Sequence, residues 1–149
     1  MLRKFSAVLS LLSLAACATP YQEMGLLGGV SASRIDEQTV QIRAQGNAYT
    51  DVAKIQTFVI LRAAEETVKD GYDGFQIVGA LDDTRIEATP GVAIASGTTI
   101  TYMPAMGVPM PGGIATIVML KRGDPAWNQH RTFIATDVVK YLGPTLKKA

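Results

Sequence analysis

Cysteine, histidine and excess charge are scarce in this 149-residue chain: it has one cysteine and one histidine, and 14 basic residues stand against 13 acidic ones. With Cys17 alone, no internal disulfide can form, so a folded core must hold the chain together. One cysteine and one histidine cannot supply the paired ligands that zinc or copper requires, and neither a metal nor a cofactor is expected. His130 lies among Asn128, Gln129 and Arg131 and reads as a solvated loop residue rather than a general base. The balanced charge offers no basic stripe, which excludes a nucleic-acid partner. Lys140, Lys147 and Lys148 read as cations near the end of a helix and in a solvated tail. No apolar run approaches the roughly 20 residues of a membrane-crossing helix. Gly28 and Gly29 do not form a nucleotide loop, because no strand precedes them, no helix follows and no lysine completes the pattern.

What the N-terminus does contain is ordered. Arg3 and Lys4 precede an apolar run from Phe5 to Leu14, and Leu14, Ala15, Ala16 and Cys17 follow. A short charged segment, an apolar run of about 10 residues and small residues before a cysteine are the pattern of a lipoprotein signal peptide with its lipobox. The expected products are cleavage between Ala16 and Cys17 and a lipid on the Cys17 sulfur, the membrane being the partner through that lipid. Each buried lipid methylene contributes about 0.8 kcal/mol, so two or three chains attach stably where one does not. Ala18 follows the cysteine; aspartate there favours inner-membrane retention in enteric bacteria, and likeness to that rule implies the outer membrane, facing the periplasm. Removing Arg3 and Lys4 with the leader takes two of the 14 basic residues and none of the 13 acidic ones, which leaves a side-chain balance of −1.

The remainder is the size of one domain. Residues 1–16 are expected as the leader, 17–27 as the lipidated N-terminus and a tether, and 28–149 as a single domain. Gly28 to Ile35 and Thr39 to Gln45 predict two strands joined by Asp36, Glu37 and Gln38, with Val40, Ile42 and Ala44 on the buried face. Thr50 and Asp51 offer a helix cap, and Val52, Ile55, Val59 and Ala63, widened by Phe58, form the apolar face of a helix reaching Lys69, with Glu65, Glu66 and Lys69 on its wet side. Gly71 stops it. A strand from Phe75 to Leu81, a hairpin turn at Asp82 and Asp83, a strand from Thr84 to Ala88, and strands over Thr98 to Met103 and Ile114 to Lys121 follow. Pro104 to Gly113 is expected to be a mobile loop. Thr136 and Asp137 cap a short helix from Val138 to Leu142, ended by Gly143 and Pro144. These elements predict an α+β fold: an antiparallel sheet with one long amphipathic helix packed on one face and a short C-terminal helix.

Several segments carry a resemblance. TPYQ from Thr19 to Gln22, GGVS from Gly28 to Ser31, RAQGNAYT from Arg43 to Thr50, LRAAE from Leu61 to Glu65, Gly71 with Tyr72, and YLGP from Tyr141 to Pro144 resemble a family of small alphaproteobacterial lipoproteins of uncharacterised function. Val30 stands where the family has an aromatic residue and Ala48 where it has glycine. The resemblance implies an envelope lipoprotein and brings no catalytic or binding residues. Residues 82 to 135 carry little of it.

Few constellations suggest chemistry. Asp82, Asp83 and Glu87 offer fewer oxygens than calcium draws, and a polar turn accounts for them. Arg43 and Asn47 are read first as fixing a turn and second as facing a ligand. Arg62 reads as a core-edge residue or as a partner of Glu65 or Glu66. Met103, Met106 and Met110 form either an apolar surface loop or an adaptable contact surface. The leading expectation is a non-enzymatic interaction or structural module meeting another envelope protein through Pro104 to Gly113 or a sheet edge. The alternative is a small-ligand or metal-sensing domain using Arg43, Asn47 and the methionines.

Overall fold

A computed structural model describes residues 17–89 and 91–147; the expected leader and Lys148 lie outside the described residues. The elements run β1 (Gly29–Arg34), β2 (Thr39–Gln45), α1 (Val52–Lys69), β3 (Gly74–Asp82), β4 (Arg85–Thr89), β5 (Val92–Ser96), β6 (Thr99–Met103), β7 (Met106–Met110), β8 (Gly112–Leu120), β9 (Phe133–Ile134) and α2 (Ala135–Lys147). Five strands form an antiparallel sheet in the order β1-β2-β8-β3-β9. Helix α1 packs across one face of it and α2 packs against α1, so the fold is α+β as the periodicities predict.

The core is the apolar set read from those periods. Val40, Ile42 and Ala44 of β2 and Ala115, Ile117 and Met119 of β8 meet Ile55, Phe58 and Val59 of α1, all buried. Alternation along a strand puts every second side chain on the helix-covered face. Asp51 caps α1, its Oδ1 accepting from the Ala53 backbone N–H at 2.7 Å. At the other end Gly71, with φ of 78°, turns the chain out of the helix, a conformation that disfavours a β-carbon.

Two helix positions depart from expectation. Val52, placed by its spacing on the buried face, is exposed, because the first turn of α1 borders an open recess lined with Leu81, Gly113 and Ile114 instead of closely packed side chains. Glu66, assigned to the wet side, is buried and lies 3.1 Å from both Arg62 and Lys69. The N-terminal segment covers that side: Tyr21 packs edge-on against Phe58 at 5.3 Å and donates to Glu65 at 2.6 Å, and Glu23 pairs with Arg62. Burial, then the Glu65 contact, push the Tyr21 hydroxyl far above the ordinary phenol range, so it stays a donor.

The largest correction concerns residues 82–113. Asp82 and Asp83 are not a hairpin turn, and Pro104 to Gly113 is not a loop. Strand β3 pairs with β8 up to Asp82 opposite Gly113; β4 pairs with β7 from Arg85–Met110 to Thr89–Met106; β5 pairs with β6 from Val92–Met103 to Ser96–Thr99. One step forward on the first leg matches one step back on the second from Gly79 onward through all three ladders. They are successive stretches of a single long hairpin whose reversal is Gly97–Thr98, with Gly97 at φ of 60°. A two-residue turn opening on a positive-φ glycine suits the twist of a tight hairpin. The inner half of the hairpin belongs to the sheet and the outer half, residues 85–110, leaves it as a two-stranded arm. Gly112 permits the close approach of the two legs where the arm leaves the sheet, since a β-carbon there would collide with the Asp83 carbonyl oxygen.

The C-terminal helix is also longer than expected, running through Gly143 and Pro144 to Lys147. A proline in the last turns removes one intrahelical bond, while burial of Leu146 and the Lys147–Glu65 contact of 2.8 Å hold the final turn onto α1.

Candidate functional site

The strand registers bring together one end of the domain. Gly29 lies opposite Gln45, Gln45 opposite Gly112, and Gly113 opposite Asp82, so the start of β1, the end of β2, the start of β8 and the end of β3 share an edge with the N-terminus of α1. The arm leaves from this end. So does the N-terminus: the Cys17 carbonyl accepts from the Asn47 side-chain amide at 2.7 Å, and Cys17 itself is exposed.

Residues 17–27, expected as a tether, are fastened here by a closed hydrogen-bond ring. The Thr19 backbone N–H donates to the Thr50 hydroxyl at 2.9 Å, which donates to the Asn47 side-chain oxygen at 2.9 Å. The Asn47 backbone N–H donates to the Thr19 hydroxyl at 2.9 Å, which donates to the Leu27 carbonyl at 3.0 Å. Thr19 and Thr50 are buried, so each polar atom needs its partner. Gly46 allows the approach, a β-carbon there meeting Thr50 at 2.5 Å. Asn47→Ala should therefore cost about 1–3 kcal/mol, the range for stranding buried polar groups, and speed hydrogen exchange at the Thr19 and Asn47 amides. Unchanged protection at both amides would contradict this role.

Asn47 thus fixes a turn, as first read, and also holds Cys17 in place. Among the described residues Arg43 bonds no backbone carbonyl; its Nε and a terminal nitrogen reach Asp83 at 2.8 and 2.7 Å, and Gln45 donates to the same carboxylate oxygen at 2.9 Å. Burial opposes ionisation of Asp83, but the Arg43 and Gln45 hydrogen bonds outweigh it and hold the carboxyl below its ordinary range. A depressed folded-state value means that the contribution is present above the unfolded carboxyl value of about 4 and is lost as pH falls through the folded one. The stability difference between wild type and Asp83→Asn, followed by thermal melts, should accordingly shrink below about pH 4; a constant difference from neutral to strongly acid pH would contradict the pairing.

The methionines do not converge on one point. Along the second leg, Met106 and Met110 share a face and Met103 falls on the other. Among the described residues no three of His, Cys, Asp and Glu form a group able to hold a metal ion. His130 lies in an exposed loop, its backbone N–H bonded to the Asn128 side chain at 2.9 Å.

Two recesses occur at the arm end. One, about 410 Å³, is apolar and lies between Val52, Ile55 and Val59 of α1 and Leu81, Gly113 and Ile114 of the hairpin. The other, also about 410 Å³, lies between the Gly25–Gly28 turn, Gln45 to Asn47, and Arg85, Glu87 and Met110 at the base of the arm. It sets the Leu26 and Leu27 side chains, both exposed, beside the arm. The sequence singles out Cys17 and Asn47 and gives no sign that Thr19 and Thr50 join them or that an arm leaves here, although an uncharged stretch between Glu87 and Lys121 is visible in the chain. Among the described residues no helix is long and apolar enough to cross a membrane. The chain matches no protein-family model, no curated protein and no solved structure.

Proposed function

We propose that this chain is a lipid-anchored lipoprotein of the bacterial cell envelope, held through Cys17 at the outer membrane facing the periplasm, and that its domain is a non-enzymatic interaction module. The reading keeps the kinship suggested by the TPYQ, GGVS and RAQGNAYT segments with small alphaproteobacterial lipoproteins. The observation that carries it is the meeting, at one end of the domain, of an exposed Cys17 that closes the lipobox and an arm whose described residues make no extensive contact with either helix. The arm is the interacting element, a broader surface than the expected loop from Pro104 to Gly113. Arg43, with both reaching nitrogens committed to Asp83, and Asn47, committed to Cys17 and Thr50, fit this reading better than a ligand site. A second reading, a small-ligand sensor, is favoured by the apolar recess beside Val52 and would take an apolar ligand rather than a metal.

Phase partition of the wild-type protein in a cloud-point detergent tests the anchor. Recovery in the detergent phase is the expected result; recovery in the aqueous phase would remove the membrane from the reading.

A further inference from the structure

Beyond Glu87 the arm carries no charged residue, and none recurs before Lys121. Ile86 is 76% exposed, Ile100 74% and Tyr102 69%, with Val92, Ile94 and Met103 at least half exposed. Charged groups at the arm end stop at the base: Arg43 with Asp83, then Arg85 and Glu87. The opposite end of the domain, where the β1–β2 turn and the end of α1 meet, carries Arg34 paired with Asp70, and Asp36, Glu37, Lys121 and Arg122. Charge is therefore present at both ends of the domain body and stops at the base of the arm.

The pairing register decides what can cover the arm. Val92 faces Met103 on one side of the ribbon, and Ala93 with Tyr102 and Ala95 with Ile100 occupy the other, so both faces are apolar. A protein partner laid on the ribbon would cover one face and leave the second in water. A second copy adding its strand to the returning leg would meet Pro104 and Pro109, positions that lack the N–H a ladder requires. Immersion in an apolar layer satisfies both faces at once. At about 3.3 Å per residue each leg reaches about 40 Å, yet its free edges forbid a lone ribbon from crossing hydrocarbon, where unpaired backbone groups are costly. The interfacial layer supplies apolar depth together with water and headgroups for those edges.

Resting on the anchored reading above, we infer that the arm's partner is the bilayer that holds Cys17: the outer half of the hairpin lies in the interfacial layer, with Leu26 and Leu27 entering beside it. Asn47 fastens Cys17 to the domain with no slack, so the lipid and the arm are presented to the same surface. The uncharged ribbon binds through apolar burial, independent of anionic lipid and of salt.

The test uses the full lipidated protein reconstituted in phosphatidylcholine vesicles, with a fluorophore on Thr101→Cys or, at the far end, on Glu37→Cys. The expected result is that a lipid-borne nitroxide quenches the Thr101 label several-fold more than the Glu37 label, equally with and without phosphatidylglycerol and at low and high salt. The pair Ile94→Glu and Ile100→Glu, at exposed positions that leave the circular dichroism spectrum unchanged, should abolish that difference. Equal access of both labels to aqueous iodide, in protein whose mass shows the lipid, would overturn the arm's placement and leave the anchor standing. A Thr101 label shielded only when an envelope protein is cross-linked to it would assign the arm to that protein and overturn the inference. Nitroxide quenching at Thr101 in protein whose mass shows no lipid would support the arm and overturn the anchor.

Discussion

Phe58→Ala is expected to lower the stability of the domain by about 3–5 kcal/mol, the cost of removing a large buried side chain and leaving a cavity. Phe58 is fully buried in the middle of α1, between the helix-covered face of the sheet and the edge of the Tyr21 ring. Its loss removes one of the contacts that join the core to the N-terminal segment, and the neighbouring β-branched side chains cannot collapse into the space without moving the helix. Against a total of about 5–15 kcal/mol for a natural domain, this is a large fraction, and with no disulfide the chain has nothing else to retain it. Urea denaturation should show an early midpoint with an unchanged slope. A cost under about 1 kcal/mol would mean that α1 does not pack on the sheet through this ring.

Cys17→Ala should have the largest effect on location. On the proposed reading the sulfur carries the diacylglyceryl group, and each acyl methylene carried into the bilayer contributes about 0.8 kcal/mol, so two or three chains bind many orders of magnitude more tightly than an apolar arm of a few exposed side chains. The variant should lose its acyl mass and resist detergent-phase recovery once its leader is removed, while its domain melts at the wild-type temperature, because the Cys17 contact to Asn47 is made by the backbone carbonyl. Processed variant protein that stays as firmly membrane-bound as the wild type would show that the arm, not the lipid, dominates attachment.

The elements that were legible in the chain are those whose information is local. The period of Ile55, Phe58 and Val59 marks α1, the alternation of Val40, Ile42 and Ala44 marks β2, and together they dictate an antiparallel sheet under a helix. What was not legible depends on partners distant in sequence. Asp82 and Asp83 look like a turn because two adjacent carboxylates favour one, but Asp83 is committed to Arg43, forty residues away, and its backbone N–H to Gly112 at 3.1 Å. Pro104, Pro109 and Pro111 read as a loop, yet the hairpin carries them past β6 and β7 because its register is set by β3 and β8 inside the sheet. Glu66 looks solvated until Tyr21 and Glu23 are seen to lie across its side of the helix. At the site, Cys17 stands out in the sequence because the pattern of the expected leader is read from local order alone. Thr19 is not, since its burial depends on Thr50 and Leu27 closing around it.

The intact mass of wild-type protein extracted from membranes tests the central claim most directly. The expected product is a chain beginning at Cys17 and carrying the added mass of a diacylglyceryl group, with or without a further acyl chain. An unmodified chain beginning at or near Ala18 would contradict it.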